Sequence, residues 1–208
     1  GWCYMRQKVE ITGTEIDNVN MDEAASILAE FLELERCSMV FTPNSEILLE
    51  AVKDREFGEI LNKGHLVVPD GIGVLIASKF YGTPLKERVA GFDLMMRLME
   101  IGDAQSRSVY LLGGREGVAE EAAIRLKERF DGLRIAGTRN GYFGEDSEER
   151  IINEINSSNA DILLVALGAP KQEKFIYKHR ERLKVKIAMG VGGSLDVLAG
   201  RVKRAPEF

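Results

Sequence analysis

The sequence predicts an α/β fold with a mainly parallel, Rossmann-like sheet, helices on both of its faces and a ligand crevice at the carboxyl ends of the strands. Short β-rich runs alternate along the chain with longer stretches of helical periodicity. Runs such as ILLVAL at 162–167 are apolar at every position, which favours central parallel strands covered on both faces. The chain has 208 residues, 45% of them hydrophobic, and is therefore long enough to bury the core of such a sheet.

Seven short runs rich in apolar and β-branched residues are predicted as strands. In chain order they are residues 9–11, 38–41, 66–68, 108–112, 134–136, 161–166 and 185–189. The segments between them carry apolar residues at helical spacing and are predicted as helices. These are residues 21–34, 45–62, 73–80, 92–101, 117–130, 147–157, 171–183 and 194–199.

Several of these helices have recognisable ends. Asn20 and Asp146 are predicted as N-caps, because a short polar side chain accepts a hydrogen bond from the unpaired N–H groups of a first turn. Gly132 is expected to help end the helix before it. Pro170 lies close to the first helical position that proline prefers.

Five of the predicted strands lead into a helix through a turn. The turns are TPNSE after Phe41, PDGIG after Val68, GGREG after Leu112, LGAPKQE after Ala166 and GVGGS after Met189. In a parallel sheet with right-handed crossovers, all of these turns lie at the carboxyl edge of the strands. We therefore expect residues far apart in the sequence to meet in one crevice.

Glycines in three of these turns are candidates for binding phosphate, because they let a ligand approach the unpaired N–H groups at a helix start. They are Gly113, Gly114, Gly168, Gly190, Gly192 and Gly193. Each turn alone is equally well explained as a structural turn. The sequence has neither GxxxxGK[ST] nor a clean GxGxxG with an acidic residue at the Rossmann spacing, which disfavours a kinase, an NTPase or a typical NAD enzyme.

Polar residues in two other segments are candidates for substrate binding. Thr42 and Asn44 follow a strand, and their hydroxyl and amide groups suit sugar hydroxyls or an N-acetyl group. Asn44 is equally a natural N-cap for the helix that follows. Arg88 can hold diphosphate oxygens through two parallel hydrogen bonds, with a surface ion pair as the alternative.

The segment GAPKQEKF places three further polar side chains at a helix start. Lys171 is either a ligand for phosphate or simply solvated. Gln172 is either a reader of an amide, hydroxyl or phosphate group or a partner in the hydrogen bonding of the first turn. Glu173 complements the helix dipole.

Asp70 is the single carboxylate where the apolar run HLVV ends and two glycines begin. It is a natural cap for a helix that starts near Ile72. A carboxylate at this edge could instead deprotonate an acceptor hydroxyl, which typically contributes about 10²–10⁴ to a reaction rate. The residues alone leave both roles open.

Charge and composition exclude some classes of protein. The net charge of −5 shows no surface for nucleic acid, although residues 171–208 hold ten Lys or Arg against four Asp or Glu. This basic region suits an anionic partner, whether a diphosphate or an acidic membrane surface, and a solvated helix face explains part of it. Cys3 and Cys37 indicate neither a disulfide framework nor a zinc site, and a reducing cytoplasm fits best. His65 and His179 are isolated and no Asp-x-Asp ends a strand, so no metal site is expected.

Taken together, the motifs resemble those of the WecG/TagA/CpsF family of bacterial glycosyltransferases, and most of all its TagA-type N-acetylmannosaminyltransferases of wall teichoic acid synthesis. The resemblance runs in order from about Val9 to Pro206. Its motifs are TPN at 42–44, PDGIGV at 69–74, ERVAGFDL at 87–94, LLGG at 111–114, GYF at 141–143, LGAPKQE at 167–173 and GVGGSLDVLAG with KRAP at 190–206.

The resemblance implies the inverting transfer of N-acetylmannosamine from UDP-N-acetylmannosamine to N-acetylglucosamine on undecaprenyl diphosphate, in a β-1,4 linkage, without metal or cofactor. Asp70 is then the expected catalytic base. The residues expected to bind substrate are Thr42, Asn44, Arg88 and Gln172. Those expected to bind the nucleotide are Gly113, Gly114, Tyr142, Gly168, Lys171, Gly192, Gly193 and Asp196.

The resemblance also implies where the protein acts. Residues 1–208 are expected to form one glycosyltransferase domain, with residues 1–7 expected to be at least partly a non-native extension. Family members usually continue beyond KRAP into an aromatic and basic segment, so we expect a C-terminal membrane-associating part to be missing. The expected location is the cytoplasmic face of the bacterial plasma membrane. For the oligomeric state, a homo-oligomer is an open alternative to a monomer. We expect this chain to fold and bind UDP but to transfer sugar poorly.

Three rival functions stay open at this point. A non-catalytic UDP-sugar sensor would bind donor without releasing UDP in response to an acceptor. A flavodoxin-like or nicotinamide oxidoreductase would carry a chromophore. A family member specific for another hexosamine would share the TPN and PDG motifs.

Overall fold

The computed structural model describes residues 6–204 and contains a six-stranded parallel sheet with a small hairpin beside it. The expected N-terminal extension and the end of KRAP lie largely outside the described residues. The elements are β1 Lys8–Ile11, β2 Thr14–Asp17, α1 Met21–Phe31, β3 Ser38–Phe41, α2 Ser45–Lys53, α3 Arg55–Asn62, β4 Leu66–Val67, α4 Ile72–Phe80, α5 Gly91–Ala104, β5 Ser108–Gly113, α6 Val118–Arg129, β6 Arg134–Arg139, α7 Glu145–Ser157, β7 Ile162–Ala166, α8 Lys171–His179, β8 Ile187–Gly190 and α9 Ser194–Leu198.

The strand order in the main sheet is β4-β3-β8-β7-β5-β6, and every neighbouring pair is parallel. The chain leaves β3 towards β4 at one side and β5 towards β6 at the other. The loops after the central strands β7 and β8 therefore lie between two connections that run in opposite directions. Open α/β sheets bind ligands at such a point.

Helices cover both faces of the sheet, which confirms the predicted fold class. Alternate residues of each central strand point to opposite layers: Leu164 packs with α1, α5, α6 and α9, whereas Leu163 and Val165 pack with α2, α3, α7 and α8. All five residues of β7 are buried, as its continuous apolar run predicted. Within residues 6–204, no helix combines the length and the apolar character needed to cross a bilayer.

The sequence-based prediction missed β2. Its sequence TEID carries two acidic residues, which are depleted in strands. The structure satisfies one of them in the interior, because the buried Asp17 carboxylate pairs with Arg6 at 3.1 Å and accepts a hydrogen bond from Val67 N at 2.9 Å. The β1–β2 hairpin is thereby joined to β4.

Several helices have other bounds than predicted; for example, α1 ends at Phe31 and α8 at His179 rather than at residues 34 and 183. The helix predicted over 45–62 is two helices that break at Asp54, whose carboxylate accepts a hydrogen bond from Phe57 N at 3.2 Å and caps α3. Asp146 is not an N-cap, since α7 begins at Glu145, two residues before the predicted start, and its N-cap is Gly144. Asn20 does cap α1 as predicted, in a reciprocal arrangement with Glu23.

Candidate active site

The loop that carries Asp70 is fixed by backbone hydrogen bonds on both sides. Asp70 N donates to Pro43 O at 3.1 Å, which ties this loop to the one after β3. Val89 N donates to Pro69 O at 2.8 Å, which ties it to the segment before α5. Residues from three parts of the sequence therefore approach one another at the carboxyl edge of the sheet.

The Asp70 side chain does not cap the helix that follows it. Among the described side chains none caps α4, whose N-cap is Gly71 with φ +96°. Instead, Asp70 Oδ2 accepts a hydrogen bond at 3.1 Å from Gly91 N, the first residue of α5. This interaction fixes the carboxylate at the start of a different helix and leaves Oδ1 for other partners.

Gly91 is required by the close approach of Asp70 and Thr42. A Cβ atom at this position would lie 2.7 Å from Thr42 Oγ1 and 3.2 Å from Asp70 Oδ2. The first of these distances is too short for any real side chain. The lack of a side chain at residue 91 thus allows the hydroxyl and the carboxylate to lie against the same helix end.

Opposing influences act on the charge of Asp70. Burial raises the pKa of its carboxyl, while the Gly91 N–H and the Arg88 guanidinium lower it. The net result is a raised pKa, which makes Asp70 a stronger base than an ordinary aspartate once it is ionised. Arg88 Nη2 lies 3.6 Å from Asp70 Oδ1, and Arg88 Nε is buried without a hydrogen-bond partner within residues 6–204.

Asn44 fulfils the capping alternative, because its side chain accepts a hydrogen bond from Ile47 N at 2.9 Å at the start of α2. The residue also lines a cavity with Asp70, so capping and ligand binding are compatible here. One side-chain oxygen is used by the cap, which leaves the amide N–H groups as the donors suited to a sugar.

Gln172 makes the hydrogen bonds of an internal support. Its Nε2 donates to Glu173 Oε2 at 2.8 Å, and its Oε1 accepts from Gly192 N at 2.9 Å. A Cβ at Gly190 would lie 3.1 Å from Gln172 Nε2, so the glycine at the end of β8 makes room for this amide. Gln172 therefore connects the start of α8 to the glycine turn before α9.

Two cavities at the carboxyl edge hold most of the predicted site residues. The first, here called the Asp70 cavity, has a volume of about 340 Å³. Its lining includes Thr42, Asn44, Asp70, Gln172, Gly192 and Gly193. The second, here called the Lys171 cavity, has a volume of about 470 Å³. Its lining includes Gly114, Tyr142, Lys171, Asp196 and Arg201.

Val202 lines both cavities, so they adjoin around α9 and its C-terminal end. Each has a size within the range of small-molecule sites in proteins. A third cavity, of about 760 Å³ between α3, α7 and α8, is larger. Lys171 is the one predicted site residue in its lining, so volume alone does not identify the site.

Three predicted site residues line neither of the two cavities. Arg88 still belongs to the site through its 3.6 Å approach to Asp70. Gly113 has a structural reason to be glycine, since its φ is +131° and a Cβ there would overlap the Ala166 carbonyl of the neighbouring strand. Gly168, with φ +74°, has open space around it.

Sequence reasoning missed the contacts of Gly91 with Thr42 and of Glu173 with Gln172. Arg201 lines the Lys171 cavity and pairs with Glu121 at 3.2 Å, a contact between residues 80 positions apart that no local pattern reveals. Gly91 stood in the motif ERVAGFDL, but its contact with Thr42 depends on the fold. Among the described residues, no three His, Cys, Asp or Glu side chains form a group that could hold a metal.

Comparison with known proteins places the chain in a family. The profile of the glycosyl transferase WecG/TagA/CpsF family matches residues 9–208. A protein of Bacillus spizizenii named N-acetylglucosaminyldiphosphoundecaprenol N-acetyl-beta-D-mannosaminyltransferase is 38% identical over 178 residues, which are 86% of this chain and 68% of the relative. Proteins of the same name from Bacillus subtilis and Staphylococcus aureus are also similar to it. The Bacillus subtilis protein is 33% identical over 82% of this chain and 66% of its own length. The Staphylococcus aureus protein is 34% identical over 96% of this chain and 78% of its own length.

The chain thus spans about two thirds of the length of its Bacillus relatives. The match by profile covers nearly all of the chain, and the three identities lie above 30%. The chain, which has the parallel sheet expected from the sequence, belongs to the WecG/TagA/CpsF family of glycosyltransferases.

Proposed function

We propose that this protein transfers N-acetylmannosamine from UDP-N-acetylmannosamine to N-acetylglucosaminyl-diphospho-undecaprenol, with inversion at the anomeric carbon. The observation that carries the proposal is the position of Asp70, which shares a cavity with Thr42, Asn44, Gln172 and the glycine turn before α9. The acceptor and the sugar are those in the names of the relatives.

Asp70 is the base in this mechanism. Its Oδ2 is held by Gly91 N, so Oδ1 is the oxygen that takes the proton from the 4-hydroxyl of the acceptor. The hydroxyl oxygen forms a bond with the anomeric carbon of the donor as the bond from that carbon to the diphosphate breaks. UDP leaves with the electron pair of that bond, and the product is a β-1,4 linkage.

The Lys171 cavity is suited to the UDP part of the donor. Lys171 and Arg201 supply positive charge for the diphosphate, and the Gly114 turn permits a close approach of the backbone. Asp196 would repel a phosphate but can accept hydrogen bonds from ribose hydroxyls. The exposed ring of Tyr142 is available to the uracil base.

In this proposal, protein cations stabilise the leaving diphosphate, which is the role of a metal ion in many sugar transferases. Lys171 and Arg201 can stabilise the charge that develops on the leaving diphosphate. Arg88 lies next to Asp70 and outside the Lys171 cavity, where it suits the diphosphate of the acceptor. The two cationic groups thus serve two different diphosphates in this proposal.

Because the proposed acceptor carries a lipid, the protein would work at the cytoplasmic face of the plasma membrane. The excess of basic residues from 171 to 208 supports attraction to anionic lipids, at about 1 kcal/mol for each Lys or Arg near the surface. Binding to vesicles that contain acidic phospholipid, lost at high salt, is the matching measurement.

The test of the function is release of UDP with donor and acceptor each omitted in turn. We expect release that requires both UDP-N-acetylmannosamine and the lipid-linked acceptor, measured at enzyme concentrations high enough to detect slow turnover. Binding of UDP without acceptor-dependent release would favour a non-catalytic sensor. Faster release from another UDP-hexosamine in a donor panel would assign a different sugar.

A further inference from the structure

Glu173 is a buried carboxyl group that the proposed chemistry does not use. It is the third residue of α8 and only 2% exposed, and it lines neither the Asp70 cavity nor the Lys171 cavity. Its Oε1 has no hydrogen-bond partner within residues 6–204. Burial raises the pKa of this carboxyl to about 7. Since an apolar residue of similar volume often stabilises a protein better than a buried charge, stability does not explain this choice of residue.

The contacts of Glu173 lead to the active site through one intermediate side chain. Gln172 Nε2 donates to Glu173 Oε2 at 2.8 Å, and Gln172 Oε1 accepts from Gly192 N at 2.9 Å. An amide can rotate by half a turn and exchange its oxygen and nitrogen. Here the Glu173 carboxyl oxygen accepts from the amide nitrogen and Gly192 N donates to the amide oxygen, so both partners require the same orientation of the Gln172 amide.

The turn around Gly192 is closed by a backbone hydrogen bond from Ser194 N to Val191 O at 3.0 Å, and Gln172 supplies the side-chain tie. Gly192 has φ +51°, and a Cβ at Gly192 or Gly193 would meet no atom within 4 Å. Side-chain packing therefore does not fix the middle of the turn. The hydrogen bond from Gly192 N to Gln172 ties it to α8, and both glycines line the Asp70 cavity.

We propose that Glu173 is a positioning residue, which orients the Gln172 amide and thereby holds the Gly192 turn in the shape that receives the nucleotide sugar. Glu173 itself does not touch the substrate. The proposal rests on the proposed function for the identity of the ligand. The relay from Glu173 through Gln172 to Gly192 stands on the hydrogen bonds alone.

The test compares three variants of the whole chain. E173M fills a similar volume and removes the acceptor, E173Q keeps an acceptor oxygen, and K174A is the control. Lys174 is the next residue of α8, and its ion pair with Asp54 at 2.7 Å lies away from the turn. Hydrogen exchange of the Gly192 amide is measured by NMR, and the affinity for UDP by calorimetry.

For E173M we expect at least tenfold faster exchange of the Gly192 amide and about tenfold weaker UDP binding, the size of effect that follows from losing one hydrogen bond. E173Q and K174A are expected to stay within about twofold of the unchanged protein in both measurements. In a double-mutant cycle, E173M should add nothing to Q172A, because both act on the same hydrogen bond.

Unchanged Gly192 exchange and UDP affinity in E173M would overturn the proposal, even if that variant were less stable to heat. Rapid exchange of the Gly192 amide in the unchanged protein would overturn it without any variant, which covers the case in which E173M does not fold. Failure of the unchanged protein to bind UDP would count against the proposed function instead, while the exchange data would still decide the relay.

Discussion

Asp70 Oδ2 and Gly91 N are 3.1 Å apart, and this hydrogen bond joins the loop after β4 to the first residue of α5. An aspartate directly before a helix would ordinarily cap that helix, but here the carboxylate serves one that begins 21 residues away. The partial positive charge at the start of α5 favours the ionised carboxylate. The remaining oxygen is then available at the cavity.

The substitution D70N should lower turnover by about 10²-fold or more, because the amide cannot accept a proton from the acceptor. The amide oxygen can still accept the Gly91 N–H, so folding and UDP affinity should be preserved. Steady-state UDP release and calorimetry measure the two effects. D22N, which alters an exposed carboxylate on α1, is the control and should be unchanged. Turnover of D70N close to that of D22N would show that Asp70 has only a structural role.

The substitution R88M should move the acidic limb of the pH–rate profile to higher pH. Arg88 lowers the pKa of Asp70, so its removal raises that pKa, and a higher pH is needed to ionise the base. The profile of kcat/KM against pH gives the position of the limb. R97M, which removes an exposed guanidinium paired with Asp22, should leave it in place. A limb at the same pH in R88M and R97M would contradict the assigned interaction.

The substitution G91A should reduce the free energy of unfolding by about 1–3 kcal/mol, since the new methyl group would overlap Thr42 Oγ1. Turnover should fall as well, because relief of the overlap displaces Asp70 or α5. Urea unfolding and UDP release measure the two effects. Adding T42A should recover part of the lost stability by removing that oxygen. Full additivity of G91A and T42A would argue against direct contact.

Glu173 should make the protein less stable as pH rises. Its pKa is raised by burial from 4.5 to about 7 in the folded protein. The favourable contribution of the protonated form is therefore complete below about 4.5 and lost as pH rises through about 7. The full effect is on the order of 3 kcal/mol.

The variant E173Q lacks this titration, so its stability relative to the unchanged protein should increase between pH 5 and pH 8. Urea unfolding of both proteins at the two pH values gives the difference and cancels the titration of other groups. The control is E181Q, which alters an exposed carboxylate two residues after the end of α8. A difference that does not vary with pH would show that Glu173 titrates as an ordinary surface glutamate.

Periodicity predicted the parts of the fold that repeat a simple pattern. The apolar runs of β5, β7 and β8 predicted the central strands, and the turns after them could be assigned to one edge because parallel strands have their carboxyl ends at the same edge. The hairpin strand β2 was not predicted, because the acidic Asp17 indicates an exposed position although it is buried in the fold. Its partners, Arg6 and Val67 N, are supplied by other parts of the chain.

The site likewise contains residues that the sequence predicted and contacts that depend on the fold. Asp70 and the glycine turns could be assigned to one edge because each follows a strand of a predicted parallel sheet, and the structure places them around adjoining cavities. The role of Gly91 depends on its close approach to Thr42, since a Cβ at residue 91 would lie 2.7 Å from Thr42 Oγ1. The support that Gln172 gives to Gly192 joins residues 20 positions apart. Neither relationship leaves a local sequence signal.

The carboxylate of Asp17 has a consequence for the behaviour of the protein in concentrated solution. Strand β4 forms the outer border of the sheet, where an unpaired N–H would offer a template to a strand from another molecule. The hydrogen bond from Val67 N to Asp17 Oδ2 occupies that donor, and the hairpin stands beside the border. At the opposite border, β6 has arginine at both of its ends, Arg134 and Arg139, and charged side chains discourage stacking of strands from neighbouring molecules. Both edges of the sheet are therefore protected against pairing with strands of other molecules.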